Sequence, residues 1–194
     1  MPVIDKETGK TLDFRQLRTH PKYKETWNTS YCNELGRLCQ GAGNGIAGPQ
    51  QQQVKGTNTF RVTSYEEITV HKRWDICHTG VVCEVCPGKD DPNGTRITVN
   101  GGNIYYAGYV ATPTGSPELV KLIINSVLSS PEAKFTCFDV KNFYLDTPLE
   151  ESEYVRINLT DIQQEFLDEY TLLKLQRNGW IYFEIIRGCY GLNQ

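Results

Sequence analysis

"FDVKNFYLDTPLEESEYVRI", residues 138–157, puts a lone carboxylate, Asp139, at the end of a run that otherwise reads as a buried strand, and puts Tyr144 five residues later. Burying a carboxylate there is costly unless it caps a helix, meets a cation or binds a metal. One reading is that Asp139 caps a short helix starting at "VKNFY"; the other is that it serves a site. The flanks supply the fold class. "KFTCFDV" (134–140) is rich in apolar and aromatic residues and predicts a strand, and "EYVRINL" (153–159) predicts a second. Upstream, Ser116, Pro117 and Glu118 supply an N-cap, a first-turn proline and a first-turn acid. Leu119, Ile123 and Val127 then line one face of a helix ending near Ser130. Downstream, Thr160 is placed to cap a short helix, "DIQQEFLDEY" (161–170), whose Ile162, Phe166 and Leu167 share a face, and "GWIYFEIIR" (179–187) is a strongly apolar strand. The alternation predicts an α+β fold with helices packed against an antiparallel sheet.

Working toward the N-terminus, "TFRVTSY" (59–65), "GVVCEVC" (80–86) and "ITVNGG" (97–102) have strand character, and "PGKDDPNGTR" (87–96) is rich in turn residues. Together they predict a small, mostly β lobe. Before it, "GAGNGIAGPQQQQVKG" (41–56) combines Gly, Pro and a Gln run, the composition of a linker or long loop. Tyr23, Trp27, Tyr31, Leu35 and Leu38 recur at intervals of three to four, which predicts an amphipathic helix beginning after Pro21 with that stripe as its packing face. The resulting division is an N-terminal helical extension and linker over 1–56 and a second unit over 57–194.

The 194 residues carry a net charge of −3, which argues weakly against a nucleic-acid partner because phosphate binders are usually basic. The charge is uneven. Residues 1–40 hold seven Lys and Arg against five Asp and Glu, whereas residues 101–194 hold seven against twelve. No apolar run approaches the roughly 20 residues of a membrane span, and "MPVIDKETGK" lacks the basic-then-apolar order of a signal peptide. The expectation is a cytoplasmic or nuclear protein that is not secreted, whose seven cysteines are reduced thiols.

"DVKNFYL" (139–145), followed some fifty residues on by "YGLNQ" (190–194), resembles the reverse transcriptase of copia-type retrotransposons, in which a D-V-K-x-A/F-F/Y-L segment precedes a strand ending in Y-G-L-x-Q. The resemblance also runs through "DPNGTRITVNGG" (91–102), "YVATPT" (109–114), the stretch 120–157 and "LTDIQQEF" (159–166). It touches "PKYKETW" (21–27), "NELGRLCQG" (33–41) and "VKGTNTF" (54–60). It therefore covers most of the chain, and it implies an RNA-directed DNA polymerase: the fingers and part of the palm of a right-hand fold over 57–194.

By this resemblance Asp139 is the first catalytic aspartate of the palm and, with the backbone carbonyl of Val140, holds Mg²⁺ (or Mn²⁺) on the phosphates of the incoming nucleotide; hard oxygen ligands suit that ion. Tyr144 is implied to be the steric gate against a ribose 2′-hydroxyl; the plain alternative is a core aromatic. Gln194 is implied to touch the incoming nucleotide and support the template path. Family members often have Pro before that Gln, where this chain has Asn193. Lys89 and Arg96 resemble the basic pair on a fingers hairpin that closes over the triphosphate, through charge-assisted hydrogen bonds to phosphate oxygens; the alternative is an exposed hairpin with solvated charges. Related sequences tend to have Arg before the Pro of that hairpin, where this chain has Cys86. The implied partners are an RNA or DNA template–primer and a deoxynucleoside triphosphate.

A rival reading uses Cys77, His78, Cys83 and Cys86, which fall within ten residues and include a C-x-x-C. Zinc held there makes the chain a metal-stabilised nucleic-acid module instead of an enzyme. Polymerases of the resembled type also need a hairpin with paired aspartates, which does not follow "YGLNQ" within these residues. The expectation is a fragment of a longer polyprotein or a decayed reading frame, inactive alone, completed by the rest of a polyprotein or a second chain, with the 179–187 strand left as an uncovered apolar edge.

Overall fold

Asp13 opens the first helix through a reciprocal capping box: its carboxylate accepts from the Gln16 backbone N–H at 2.8 Å, and the Gln16 amide oxygen accepts from the Asp13 N–H at 2.9 Å. Helix α1 (Phe14–Thr19) comes next, and past Pro21 the chain enters α2 (Lys24–Leu38). The stripe in α2 is a packing face, since Trp27, Tyr31, Leu35 and Leu38 are all buried. The computed structural model describes residues 1–42, 54–89, 91–104, 115–138, 140 and 142–192. The two ends of the Gly/Gln-rich stretch are held together, because β1 (Gly41–Ala42) pairs antiparallel with β2 (Val54–Lys55).

The remaining strands are β3 (Phe60–Thr63), β4 (Cys77–Val85), β5 (Asn93–Val99), β6 (Pro148–Asn158) and β7 (Trp180–Arg187), with α3 (Pro117–Ser129), α4 (Phe143–Asp146) and α5 (Gln164–Glu169) between them. The five strands form one sheet in the order β3-β7-β6-β4-β5. Every neighbouring pair is antiparallel except β4 and β6, which run parallel through Cys77↔Val155 and His78↔Arg156. The fold is α+β. Two expectations change here. The upstream β segments do not form a lobe apart, because β3 and β4 join the later strands. Strand β7 is not an uncovered edge either, since β3 supplies its second ladder, with Arg61 directly opposite Glu184 and ion-paired to it.

One core crosses the expected boundary at 41–56. Tyr31, Leu35 and Leu38 of α2 cluster with Phe60, Ile97, Val155, Ile157 and Phe183 of the sheet, so the first 42 residues share their interior with the five-stranded sheet. A largely buried ion pair lies on the central strand: Lys72, in the 3₁₀ turn Val70–Asp75, donates to Glu153 of β6 at 2.9 Å. The seven cysteines are free thiols. Among the described residues, no helix is long and apolar enough to cross a membrane.

Helix α3 begins as its sequence predicts, with the Ser116 hydroxyl accepting from the Leu119 N–H, but none of its residues is buried. The described part of the expected strand at 134–140 is not a strand. Residues 133–138 have no regular structure, with Phe135 59% and Phe138 82% exposed. An apolar, alternating run becomes a strand only where a neighbouring ladder accepts it, and β6 is already paired on both sides, by β7 and β4. Nor does Thr160 cap α5, whose N-cap is Gln163. Asn158 instead accepts from the Thr160 N–H and starts a 3₁₀ turn over Leu159–Asp161.

Candidate functional site

The hairpin of β4 and β5 presents the two predicted cations differently. Beyond the last pair, Val85↔Asn93, the turn is closed by Cys86 N–H on the Pro92 carbonyl at 2.7 Å, and Lys89 sits exposed at its tip. Arg96 lies three residues inside that pair, opposite Val82, about 10 Å back along the strand at ~3.4 Å per residue. Its guanidinium reaches Glu84, 4.0 Å away on the neighbouring strand, and lies 5.1 Å from the centre of the Tyr190 ring. Lys89 and Arg96 are therefore not neighbours in this arrangement.

Tyr190 is held by the turn that leaves β7. Two glycines let it dock. Gly191 has φ +93°, and a β-carbon there would drive into the Val99 carbonyl oxygen; one on Gly188 would lie 2.5 Å from the Tyr144 carbonyl oxygen. The close approach is used: Val99 N–H donates to the Tyr190 carbonyl at 2.7 Å, Gly101 N–H to the Gly191 carbonyl at 3.1 Å, and Gly188 N–H to the Thr147 carbonyl at 2.7 Å. The turn is thereby tied to β5 on one side and to the end of α4 on the other.

Tyr144, on α4, is 56% exposed, and its ring meets Tyr190 edge-on at 6.0 Å and Phe143 at 5.8 Å. So the structure brings Arg96 and Tyr144 each against the same ring. The start of α4 is fixed from α2: Arg37 donates to the Asn142 side chain at 3.0 Å, while Glu34 holds the same guanidinium through two hydrogen bonds of 2.8 Å and keeps its pKa above the ordinary arginine value. Asn142, with φ +59°, is the N-cap position of α4, so that position does not fall on Asp139. Val140 is exposed, and its carbonyl accepts from the Phe143 N–H at 3.3 Å, which leaves one of its two lone pairs available. Asp139, Asn193 and Gln194 lie outside the described residues.

The zinc reading does not fit. Cys77 and Cys83 belong to one unbroken strand, β4, and six residues of strand separate them by about 20 Å, whereas zinc thiolates lie at about 2.3 Å from the ion. Among the described residues, no three His, Cys, Asp or Glu side chains are grouped to hold a metal. Buried Cys77 and half-buried Cys83 are also pushed up to about 11 by burial, away from the thiolate a metal needs.

Sequence reasoning missed Tyr190 and Arg37. Tyr190 stood within the quoted "YGLNQ", but nothing local shows that its ring links β5 to α4; Arg37 gave no signal beyond a cation in the last turn of a helix. Chemically, the arrangement offers an exposed guanidinium, an aromatic face and an exposed carbonyl oxygen on segments tied to a common turn. No protein-family model, curated protein or solved structure matches this chain.

Proposed function

We propose that the chain is the fingers and part of the palm of a copia-type reverse transcriptase, an RNA-directed DNA polymerase. One observation carries the reading. Arg96 and Tyr144, which the resemblance assigns to the phosphate and sugar ends of one nucleotide, both contact the same ring, that of Tyr190 from the "YGLNQ" segment. In this reading Arg96 binds a phosphate oxygen of the incoming deoxynucleoside triphosphate, and Lys89 at the hairpin tip closes over the same phosphates. Tyr144 excludes a 2′-hydroxyl. Asp139 and the Val140 carbonyl are the oxygen donors for Mg²⁺ or Mn²⁺, and Gln194 supports the template path. A divalent ion bound there neutralises the triphosphate and lowers the barrier to attack by the primer 3′-hydroxyl. In this reading such a site is completed by paired aspartates that are not found after "YGLNQ" within these 194 residues. The template–primer is the macromolecular partner, and the cytoplasm or nucleus is the setting.

Calorimetric titration of the purified chain with a deoxynucleoside triphosphate and Mg²⁺ tests this. A lost charge-assisted hydrogen bond costs about 1.5–3 kcal/mol, so Arg96→Gln should weaken binding about tenfold or more. Absence of binding by the unmodified chain, or equal binding by the variant, removes the reading.

A further inference from the structure

A cleft of about 670 Å³, which includes none of Lys89, Arg96, Tyr144 and Tyr190, is lined by Arg15, Arg18, His78, Arg156, Asp161 and Trp180 together with small polar side chains. Its volume is that of a small-molecule site. Its charge is unbalanced, with three arginines against one carboxylate. That carboxylate is already engaged, since Arg18 pairs with Asp161 and donates its other terminal nitrogen to the Thr160 carbonyl. Arg15, on α1, and Arg156, on β6, have no Asp or Glu side chain within ion-pair distance among the described residues.

Arg156 is held in place without being neutralised. Its guanidinium lies 4.6 Å from the centre of the Trp180 ring, and one terminal nitrogen is 2.9 Å from His78 Nε2. Burial and then the Arg156 charge keep the His78 pKa below its ordinary value, so the imidazole serves as a neutral acceptor and adds no competing charge. The edge of His78 also meets Trp180, at 5.5 Å. Because Arg156 covers the indole face, the cleft presents guanidinium donors more than a free aromatic platform. Two guanidiniums from separate elements suit an anion with three or more oxygens. A carboxylate is saturated by one arginine fork.

We propose that this cleft is a phosphate site, in which Arg15 and Arg156 hold the oxygens of a phosphate monoester or diester and the esterified body fills the remaining volume. The site does not depend on the polymerase reading. Its test is calorimetry on the purified chain in EDTA, where a site that needs a divalent ion stays silent, with inorganic phosphate, thymidine monophosphate, a short oligothymidylate and succinate as separate titrants. Saturable binding of a phosphate compound is expected, weakened about tenfold or more by Arg15→Gln. Arg15 is the test position because Arg156→Gln also removes the contacts to His78 and Trp180; circular dichroism of Arg15→Gln verifies that the fold is kept. Binding of the monophosphate but not the oligonucleotide assigns the site to free phosphate esters, and the reverse assigns it to a nucleic-acid backbone. No saturable binding of any phosphate compound, equal binding by Arg15→Gln, or equal affinity for succinate overturns the proposal.

Discussion

Gly191→Ala should unfold the candidate site and cost the whole protein stability. An L-residue forced to the positive φ of this position loses about 1–2 kcal/mol. The added methyl also meets the Val99 backbone, which cannot move aside without breaking its pairing with β4. The 190–191 turn then has to lift, and the two hydrogen bonds to Val99 and Gly101 go with it, at about 0.5–1.5 kcal/mol each. Together these give a loss of roughly 3 kcal/mol, or about 6–12 °C in Tm for a chain of this size. Urea unfolding and thermal melting followed by circular dichroism measure it. Gly102→Ala is the control: its methyl would meet only Asn100 Oδ1 at 3.6 Å, and its stability should change by less than about 1 kcal/mol. A Gly191→Ala protein within about 1 kcal/mol of the parent would show that the turn is not docked on β5 as described, and with it the link between Arg96 and Tyr144 would fail.

Lys72→Met should destabilise by about 3 kcal/mol in urea unfolding, because it leaves the buried Glu153 carboxylate without its cation. Lys72→Met combined with Glu153→Met should recover much of that loss; additive single effects would mean the pair is not coupled. In a chain joined to a palm segment carrying paired aspartates, Tyr144→Ala should raise ribonucleotide incorporation relative to deoxyribonucleotide, and unchanged selectivity would return Tyr144 to a packing role.

Local signals were legible where the physics is local. The Ser116 cap, the α2 stripe and the strands around Phe60, Val82, Ile97, Val155 and Phe183 can each be read within a short window of neighbouring residues. Pairing is not local. The apolar alternation of "KFTCFDV" cannot reveal that no ladder receives residues 134–138, and "GWIYFEIIR" cannot announce that β3, from the other half of the chain, covers its edge. Helix α1 was missed although its Asp13–Gln16 capping box is plain once sought, because only Phe14 and Leu17 of its six residues are buried and no long stripe marks it. The same limit applies to the sites. Arg96 and Tyr144 were each chosen by motif, but their meeting point, Tyr190, is a matter of register between β5 and the turn after β7. Arg15 and Arg156 carry no motif, and only the packing of α1 against α2 and β4 brings them into one cleft.

The central claim is that Asp139 belongs to a nucleotidyl-transfer site, and primer extension tests it most directly. The chain, joined to a palm segment with a paired-aspartate hairpin and given an RNA template, a DNA primer and Mg²⁺ or Mn²⁺, should add deoxynucleotides. Asp139→Asn should lower that rate by orders of magnitude, since an amide removes a charged ligand from the ion that stabilises the phosphoryl transition state. Failure of the joined chain to extend the primer, or extension that survives Asp139→Asn, would contradict the account.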